Sequence, residues 1–553
     1  MRERPDLPWL IALILISTLL LFNLFTKGIY GSHDSEVHIA RITQFHQALK
    51  HQYPPVRWLS NFNFGFGYPT FVYAYSLPYY LSLPLAATIS DVEITFKLLM
   101  LLSVIFSAIT FYYFAKFTFS RLSAFVGSVF YISAPYRFAD IYERGALGEA
   151  LSFVISPLMA MSPYIISRNK FSGFIFTTLV VFTFIGTHAI TFIIFLFFTI
   201  ATSPLIFKKH LKLYLIFLAA IVLGFLLSSF QWIPMISEQK YVNLDKTYFN
   251  IFEGHLLSIY QLLRIPKDNV SVGTGIQLGI AQFLVLVLSI LAAVVKYIKN
   301  RKVDAYLLFF IIAIFLSLIL ITDFSKFIWY LFHPLQTIIF PWRFLTLTTF
   351  ATAFLAAYLI SSLRETSSRK KQIFVIVIAL TIAIYPSRHF MKGKYWHTYT
   401  GEYYRSYQDP YKLDNYYLPG GVANNLENLQ LPQVSLISGN GQAELVKKQN
   451  NKLEANLNIQ ESAKVQLHTM YFPGWELFIN GQGSQLITNQ LGLEGIIVAS
   501  VPQGSHQLTL EFKETPLRRK ANLLTVTSFL ILLLLILKFY FSRQSSKALK
   551  HVV

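Results

Sequence analysis

The chain has 553 residues, 54% hydrophobic and 16% aromatic but only 13% charged, with a formal net charge of +20 and no cysteine. Soluble domains carry about 25% charged residues, and several apolar runs here reach the roughly 20 residues that cross a bilayer. A soluble globular protein, disulfides and thiolate-held metals are therefore excluded, and a polytopic α-helical membrane protein is expected. The cations sit in short gaps between apolar runs, the pattern of cytoplasmic loops and not of a nucleic-acid-binding face.

Arg2 and Arg4 precede the first apolar span, Trp9 to Thr26, and no small-residue cleavage pattern follows it. It reads as a retained signal anchor that leaves the N-terminus in the cytoplasm. A dense polar stretch follows, from Gly31 through His33, Asp34, Glu36 and His38 to Arg41. A helix starting near Asp34 puts Asp34, His38 and Arg41 on one face, continued by Ile42, Phe45 and Leu49. This is an amphipathic helix on a membrane surface with a charged knot at its start. Asp34 is a candidate general base; the alternative is that Asp34 or Ser32 caps the helix. His33, Asp34, Glu36 and His38 are suitable ligand types for a divalent ion, with Asp34, Glu36 and His38 the candidate set, although their spacing matches no specific zinc pattern.

Residues 71–89 are apolar but follow Pro69 and contain Pro78 and Pro84. Placing them along the outer surface lets the next span, about Thr95 to Phe114, run inward, so that Lys116 and Arg121 fall on the cytoplasmic side. Further spans then alternate over 122–135, 149–166, two short ones within 171–207 divided at Gly186-Thr187-His188, a span to about Pro234, then 276–295, 304–322, 339–362, 372–386 and 521–541. That makes about twelve spans with both termini inside. Residues 1–387 form the membrane domain, with a first outer loop over 27–94. Residues 388–516 are rich in Asn, Gln, Gly and Tyr, and show alternating segments at 464–470, 476–479 and 507–512. They predict an extracytoplasmic β-sandwich-like domain, with Asn480-Gly481 as a hairpin turn. Residues 517–553 supply the last span and a basic tail.

With this topology Asp34, Glu36, His38, Arg57, Glu143, Arg144, Glu149, His188, His333 and Arg343 gather at or near the outer face. Ionisable groups near membrane depth mark function more often than not, and arginine suits a phosphate. Each has a structural alternative: an ion pair of Arg144 with Glu143 or Glu149, snorkelling of Arg343, a helix cap for His188. Gly65-Phe66-Gly67-Tyr68-Pro69, with Tyr73, Tyr75, Tyr79 and Tyr80, reads first as an aromatic interfacial belt and second as a surface for sugar or lipid contact.

An acidic residue soon after the first span, then surface helices, then a span ending in basic residues, resembles the C-type (GT-C) glycosyltransferases. His33-Asp34-Ser35 with His38 and Arg41, Pro55-Val56-Arg57-Trp58, Gly65 to Pro69, Tyr79-Tyr80, Arg144-Gly145-Ala146 with Glu149, and Phe340-Pro341-Trp342-Arg343 more specifically resemble the bacterial membrane proteins called 6-pyruvoyl-tetrahydropterin synthase-related. Tyr471-Phe472-Pro473-Gly474-Trp475 with Asn480-Gly481 is similar to the YfhO-like membrane proteins. A pterin synthase needs a compact three-histidine zinc site in a soluble domain, and the chain has no such domain. The GT-C resemblance implies sugar transfer, with inversion, from a polyprenyl-phosphate donor to an extracytoplasmic glycan, lipid or protein acceptor. It maps Asp34 to the first-loop catalytic carboxylate and Glu143 or Glu149 to a second one. His38, Arg57, Arg144, His188 and Arg343 are the expected substrate-binding residues. A strict Asp-x-Asp is absent, which separates the chain from the metal-dependent pattern. The rival readings are a lipid or glycan transporter using the same cavity, and a non-catalytic cell-envelope scaffold presenting the β domain.

Overall fold

The computed structural model describes residues 6–242, 250–263, 275–364, 369–407, 431–490 and 493–550. The chain divides into two compact units that interleave along the sequence.

The first unit comprises Met1–Ile39, Leu77–Ile221 and Tyr248–Gly401 and is almost wholly helical. Val92–Ala115 is started by the Asp91 carboxylate, which accepts from the backbone N–H groups of Glu93 and Ile94. It packs on Leu147–Arg168, which packs on Lys170–Phe207; Arg121–Ile132 lies against Leu345–Arg364. Ring-to-ring contacts of Phe350 with Phe111, Phe195, Phe198 and Phe310 fill the middle of this bundle. Aromatic pairs of this kind contribute about 0.5–1.5 kcal/mol beyond area burial. A short antiparallel ladder joins β1 (Ile29–Tyr30) to β2 (Trp396–His397).

Among the described residues of the whole chain, seven helices are long and apolar enough to cross a bilayer, or eight if Leu211–Leu227 and Ser229–Ser237, bent by 70°, make one span. Leu7–Leu20, Arg121–Ile132 and Ala305–Ile321 are apolar but shorter. Each apolar segment expected from the sequence has its helix. At 1.5 Å rise per residue, however, the 12-residue Arg121–Ile132 covers only about 18 Å of a roughly 30 Å core. Within 171–207 the chain makes two helices that part at His188, whose φ of −164° and ψ of 94° are extended, at the division expected from Gly186-Thr187-His188. Residues 71–89 form only short helices, Thr70–Tyr73 and Leu77–Thr88.

The second unit comprises Ala40–Ser76, Val222–Thr247 and Glu402–Val553. Its β part has two antiparallel sheets. One orders β3 (Val434–Ser438), β6 (Ala463–Met470), β10 (Ile496–Val501) and β9 (Leu486–Ile487); the other orders β4 (Gly441–Gln449), β5 (Lys452–Ile459), β11 (Gly504–Phe512), β7 (Trp475–Ile479) and β8 (Gln482–Ser484). Leu453, Ala455, Leu457 and Ile459 alternate inward on β5, as do Leu508, Leu510 and Phe512 on β11, so each strand has one apolar face. The β7–β8 hairpin turns at Asn480 and Gly481, both at positive φ, as the sequence pattern requires.

The linear boundary expected at residue 388 is not where the compact units part. The segment 40–76 belongs to the β-containing unit because the Gly65 to Pro69 motif is built into it. The Phe66 ring stacks on His468 at 3.7 Å, His468 Nε2 bonds the Phe64 carbonyl at 2.7 Å, and Met470 N–H donates to Phe66 O. Gly67, at φ +90°, lies against the Trp58 indole, where a Cβ would come within 2.3 Å. The motif is thus a joint to β6 and not a free aromatic belt.

Candidate functional site

The site lies in the helical unit and is built around a turn of π-helix, Ala139–Glu143, closed by the Arg144 N–H donating to Ala139 O at 2.8 Å. Such turns insert one residue and re-aim the side chains after it. Here the turn brings the guanidinium of Arg144 onto two carboxylates: Nη1 is 2.6 Å from Asp140 Oδ1 and 2.6 Å from Glu149 Oε2. Tyr136 Oη donates to Glu149 Oε1 at 2.6 Å and accepts from Arg144 Nη1 at 3.2 Å. Arg343 approaches from the start of Leu345–Arg364, its Nε 3.5 Å from Glu149 Oε2. Glu149, Asp140 and Tyr136 are at most 1% exposed, and Arg144 and Arg343 at most 8%.

Arg343 is held there by a tight turn. Ile339 has φ +66° and ψ −58°, a region costly for a β-branched residue. The preceding carbonyl, of Ile338, accepts from Arg343 Nη1 at 2.7 Å. Phe340 and Trp342 stack at 4.8 Å, His255 sets its edge against both, and Arg343 Cζ lies 4.9 Å from the Phe340 ring centre. Arg343 is therefore buried in the cluster and does not snorkel.

Asp34 reaches this cluster through the backbone. Its N–H donates to Arg144 O at 2.8 Å, and His33 N–H donates to Glu143 O at 3.0 Å. Gly145, at φ +64°, permits the approach: a Cβ there would come within 2.5 Å of Ser32 Oγ and 2.7 Å of Ser35 N. The Ser35–Ala48 helix is capped by Ser32, whose Oγ accepts from Ser35 N at 3.0 Å. Asp34 thus carries no capping duty. It is half-buried, and its carboxylate has no hydrogen bond among the described residues.

The remaining candidates divide. His188 lies within electrostatic reach of Glu149, and its Nδ1 caps the restarted helix by accepting from Thr191 N at 3.3 Å. Glu143 accepts from Gly275 N at 3.2 Å. His38 Nδ1 bonds Tyr79 Oη at 2.8 Å beside the Phe96 ring, and Glu36 is buried. Arg57 belongs to the second unit, where it pairs with Glu514 and Asn522, each at 3.2 Å. Among the described residues no three histidine, aspartate or glutamate side chains converge to hold a metal ion, so Asp34, Glu36 and His38 do not assemble as a ligand set.

Sequence reasoning passed over Asp140, Tyr136 and Arg137. Asp140 stands four residues before Arg144, the spacing of a helical ion pair, and was the available signal. Burial, then repulsion from Glu149, hold its carboxyl well above the usual range, with Arg144 and Arg137 pulling it back. Its Oδ2 is buried without a hydrogen-bond partner among the described residues. Arg137, fully buried, donates to Ala150 O at 2.9 Å and Ser103 Oγ at 2.7 Å and lies 4.4 Å from the Phe153 ring centre. Three guanidinium groups thus share a buried region with two carboxylates, one of them resisting ionisation. The excess is positive and would attract an anion.

Residues 71–391 match the family model described as "6-pyruvoyl-tetrahydropterin synthase related domain; membrane protein". No curated protein matches the chain. Among solved structures it is similar to a cryo-EM structure of the arabinofuranosyltransferase AftD from Mycobacteria, with 14% identity and a TM-score of 0.46 over 69% of this chain and 26% of that one. It is also similar to a mutant form of the same enzyme, with 13% identity and a TM-score of 0.40 over 68% and 27%. The chain spans about a quarter of the length of these structures.

Proposed function

Given that the chain belongs to the 6-pyruvoyl-tetrahydropterin synthase-related family of membrane proteins, we propose that it is a GT-C type membrane glycosyltransferase using a polyprenyl-phosphate-linked sugar. The site faces the extracytoplasmic side of the plasma membrane, with both termini in the cytoplasm. The observation that carries the reading is the pairing of an unengaged carboxylate, Asp34, with the buried Arg144–Glu149–Arg343 cluster through a 2.8 Å backbone hydrogen bond.

In this mechanism the acceptor hydroxyl oxygen attacks the anomeric carbon from the face opposite the phosphate. The carbon–oxygen bond to the phosphate breaks and its electron pair leaves with polyprenyl phosphate. The hydroxyl proton passes to Asp34, and the anomeric configuration inverts. Base catalysis of this kind contributes about 10²–10⁴-fold. Arg343 steadies the departing phosphate, since among the described residues only one contact, at 3.5 Å, ties it to a carboxylate. Arg144, already gripped by two carboxylates, orients Glu149 and fixes Asp34 by its carbonyl. The cluster makes no demand for a metal ion, because guanidinium groups supply the positive charge.

The test is sugar transfer by membranes or purified protein from a synthetic polyprenyl-phosphate sugar. Wild type should transfer, while Asp34→Asn and Arg343→Ala should fail although folded. Transfer by wild type no greater than by protein-free membranes removes the enzymatic reading and leaves the transporter, for which Asp34→Asn spares translocation; equal transfer by all three removes Asp34 and Arg343 from the mechanism.

A further inference from the structure

Apart from the helical site, the β part of the second unit holds a cleft of about 550 Å³, within the roughly 300–1,000 Å³ range of small-ligand sites. Its walls come from β7, from β8 and β9, and from the link between those two strands. β8 pairs only with β7 and β9 only with β10, so the cleft opens where the two sheets leave their edges. Tyr471, Trp475 and Phe478 supply aromatic surface; Gln485, Ser484 and Thr488 supply an amide and hydroxyls.

The chemistry selects the occupant. Among the described residues no lysine or arginine lines the cleft, and the one lining carboxylate, Glu476, is held by Lys513 at 3.2 Å. The nearest cation, Lys513, is already committed to Glu476 and to the Phe478 face, which leaves an anionic ligand little counter-charge. An extended peptide would have to add to an edge, but β8 has three residues and β9 two, too short to template a strand. The half-buried Tyr471 ring makes no ring-stacking or cation–π contact among the described residues, whereas Phe478 is covered from one side by Lys513 at 4.5 Å. A flat apolar face beside amide and hydroxyl groups fits a pyranose ring, which has C–H faces and a rim of hydroxyls.

We propose that this cleft binds a neutral oligosaccharide, with Tyr471 as the stacking platform and Gln485 as a hydroxyl-reading group. The inference does not depend on the catalytic reading and adds to it a site for glycan separate from Asp34.

The experiment is equilibrium binding of the full-length protein in detergent to a panel of neutral hexose and N-acetylhexosamine hexasaccharides, with oligogalacturonate as the acidic control and an extended neutral peptide as the competing class. At least one neutral oligosaccharide should bind, and Tyr471→Ala should weaken it at least about tenfold. Gln485→Ala, at an exposed position that folding tolerates, should weaken the same ligand, while Asp34→Asn should bind as wild type does. Binding of none of the neutral sugars, binding untouched by both cleft substitutions, or binding of only the peptide or the acidic sugar would overturn the proposal. A protein that binds sugar yet transfers none would sink the catalytic reading and leave this one standing.

Discussion

The backbone N–H of Asp34 donates to the carbonyl oxygen of Arg144 at 2.8 Å, while the guanidinium of the same arginine bonds Glu149 at 2.6 Å. One residue therefore ties the first polar stretch of the chain to the buried cluster with both its main chain and its side chain. Gly145 makes this possible, and Gly145→Ala should be more harmful than its small size suggests. The new methyl group would press on Ser32 and Ser35 at a backbone angle that alanine resists. Transfer activity should fall at least about tenfold with the protein still folded by size-exclusion profile. Unchanged activity would show that the approach of the two segments is not needed.

Glu149 neutralises Arg144 and faces Arg343, all nearly excluded from solvent. Breaking one partner of a buried pair costs about 3–5 kcal/mol because the other charge stays buried. Glu149→Gln should therefore lower the unfolding temperature in detergent clearly more than Arg343→Ala, whose partner keeps Arg144. Equal shifts would argue against Glu149 as the centre of the cluster.

Gly67→Ala should destabilise the second unit. Its Cβ would overlap the Trp58 ring at φ +90°, and Trp58 itself packs edge-on against Trp475 at 5.5 Å. A loss of more than about 1 kcal/mol is expected, read as faster proteolysis within 431–512 than in wild type.

Lys448 supplies a pH test. Burial lowers its ammonium to about 8, and it donates to Gly65 O at 3.0 Å. A lysine with a depressed folded value is deprotonated in the native state before the unfolded one. Stability therefore rises between about pH 8 and the ordinary lysine value of 10.5, and is lost again as pH falls through 8. Unfolding temperature measured from pH 7.5 to 10 should climb more in wild type than in Lys448→Met. Parallel curves would count against a buried amine here.

Much of the fold was legible because apolar run length and charge placement report directly on helices in a bilayer. The alternation in 464–470 and 507–512, and Asn480-Gly481, report as directly on hairpins. The site was half legible. Arg144, Glu149 and Arg343 stand out as charges in apolar surroundings; Asp140 carried its i,i+4 signal to Arg144, but nothing in a 3.6-residue pattern announced the π-turn that buries it. Arg57 and His38 looked equally functional, yet their partners, Glu514 and Tyr79, lie 457 and 41 residues away. No local spacing announces pairs at that distance. The Gly65 to Pro69 motif was seen and misjudged for the same reason, since its partners are on β6.

The π-turn at Ala139–Glu143 makes the cluster sensitive to arithmetic as much as to chemistry. Each residue of a helix advances the side chains by about 100°. Deleting a single residue between Ala139 and Glu143, even an apolar one such as Ile141, would let the turn relax to ordinary α-helix and swing Arg144 about a quarter-turn out of line with Glu149. Every charged group would still be present in the chain, but Arg144 would no longer meet Glu149 and Asp140 together. Length variation should therefore be poorly tolerated in these five residues.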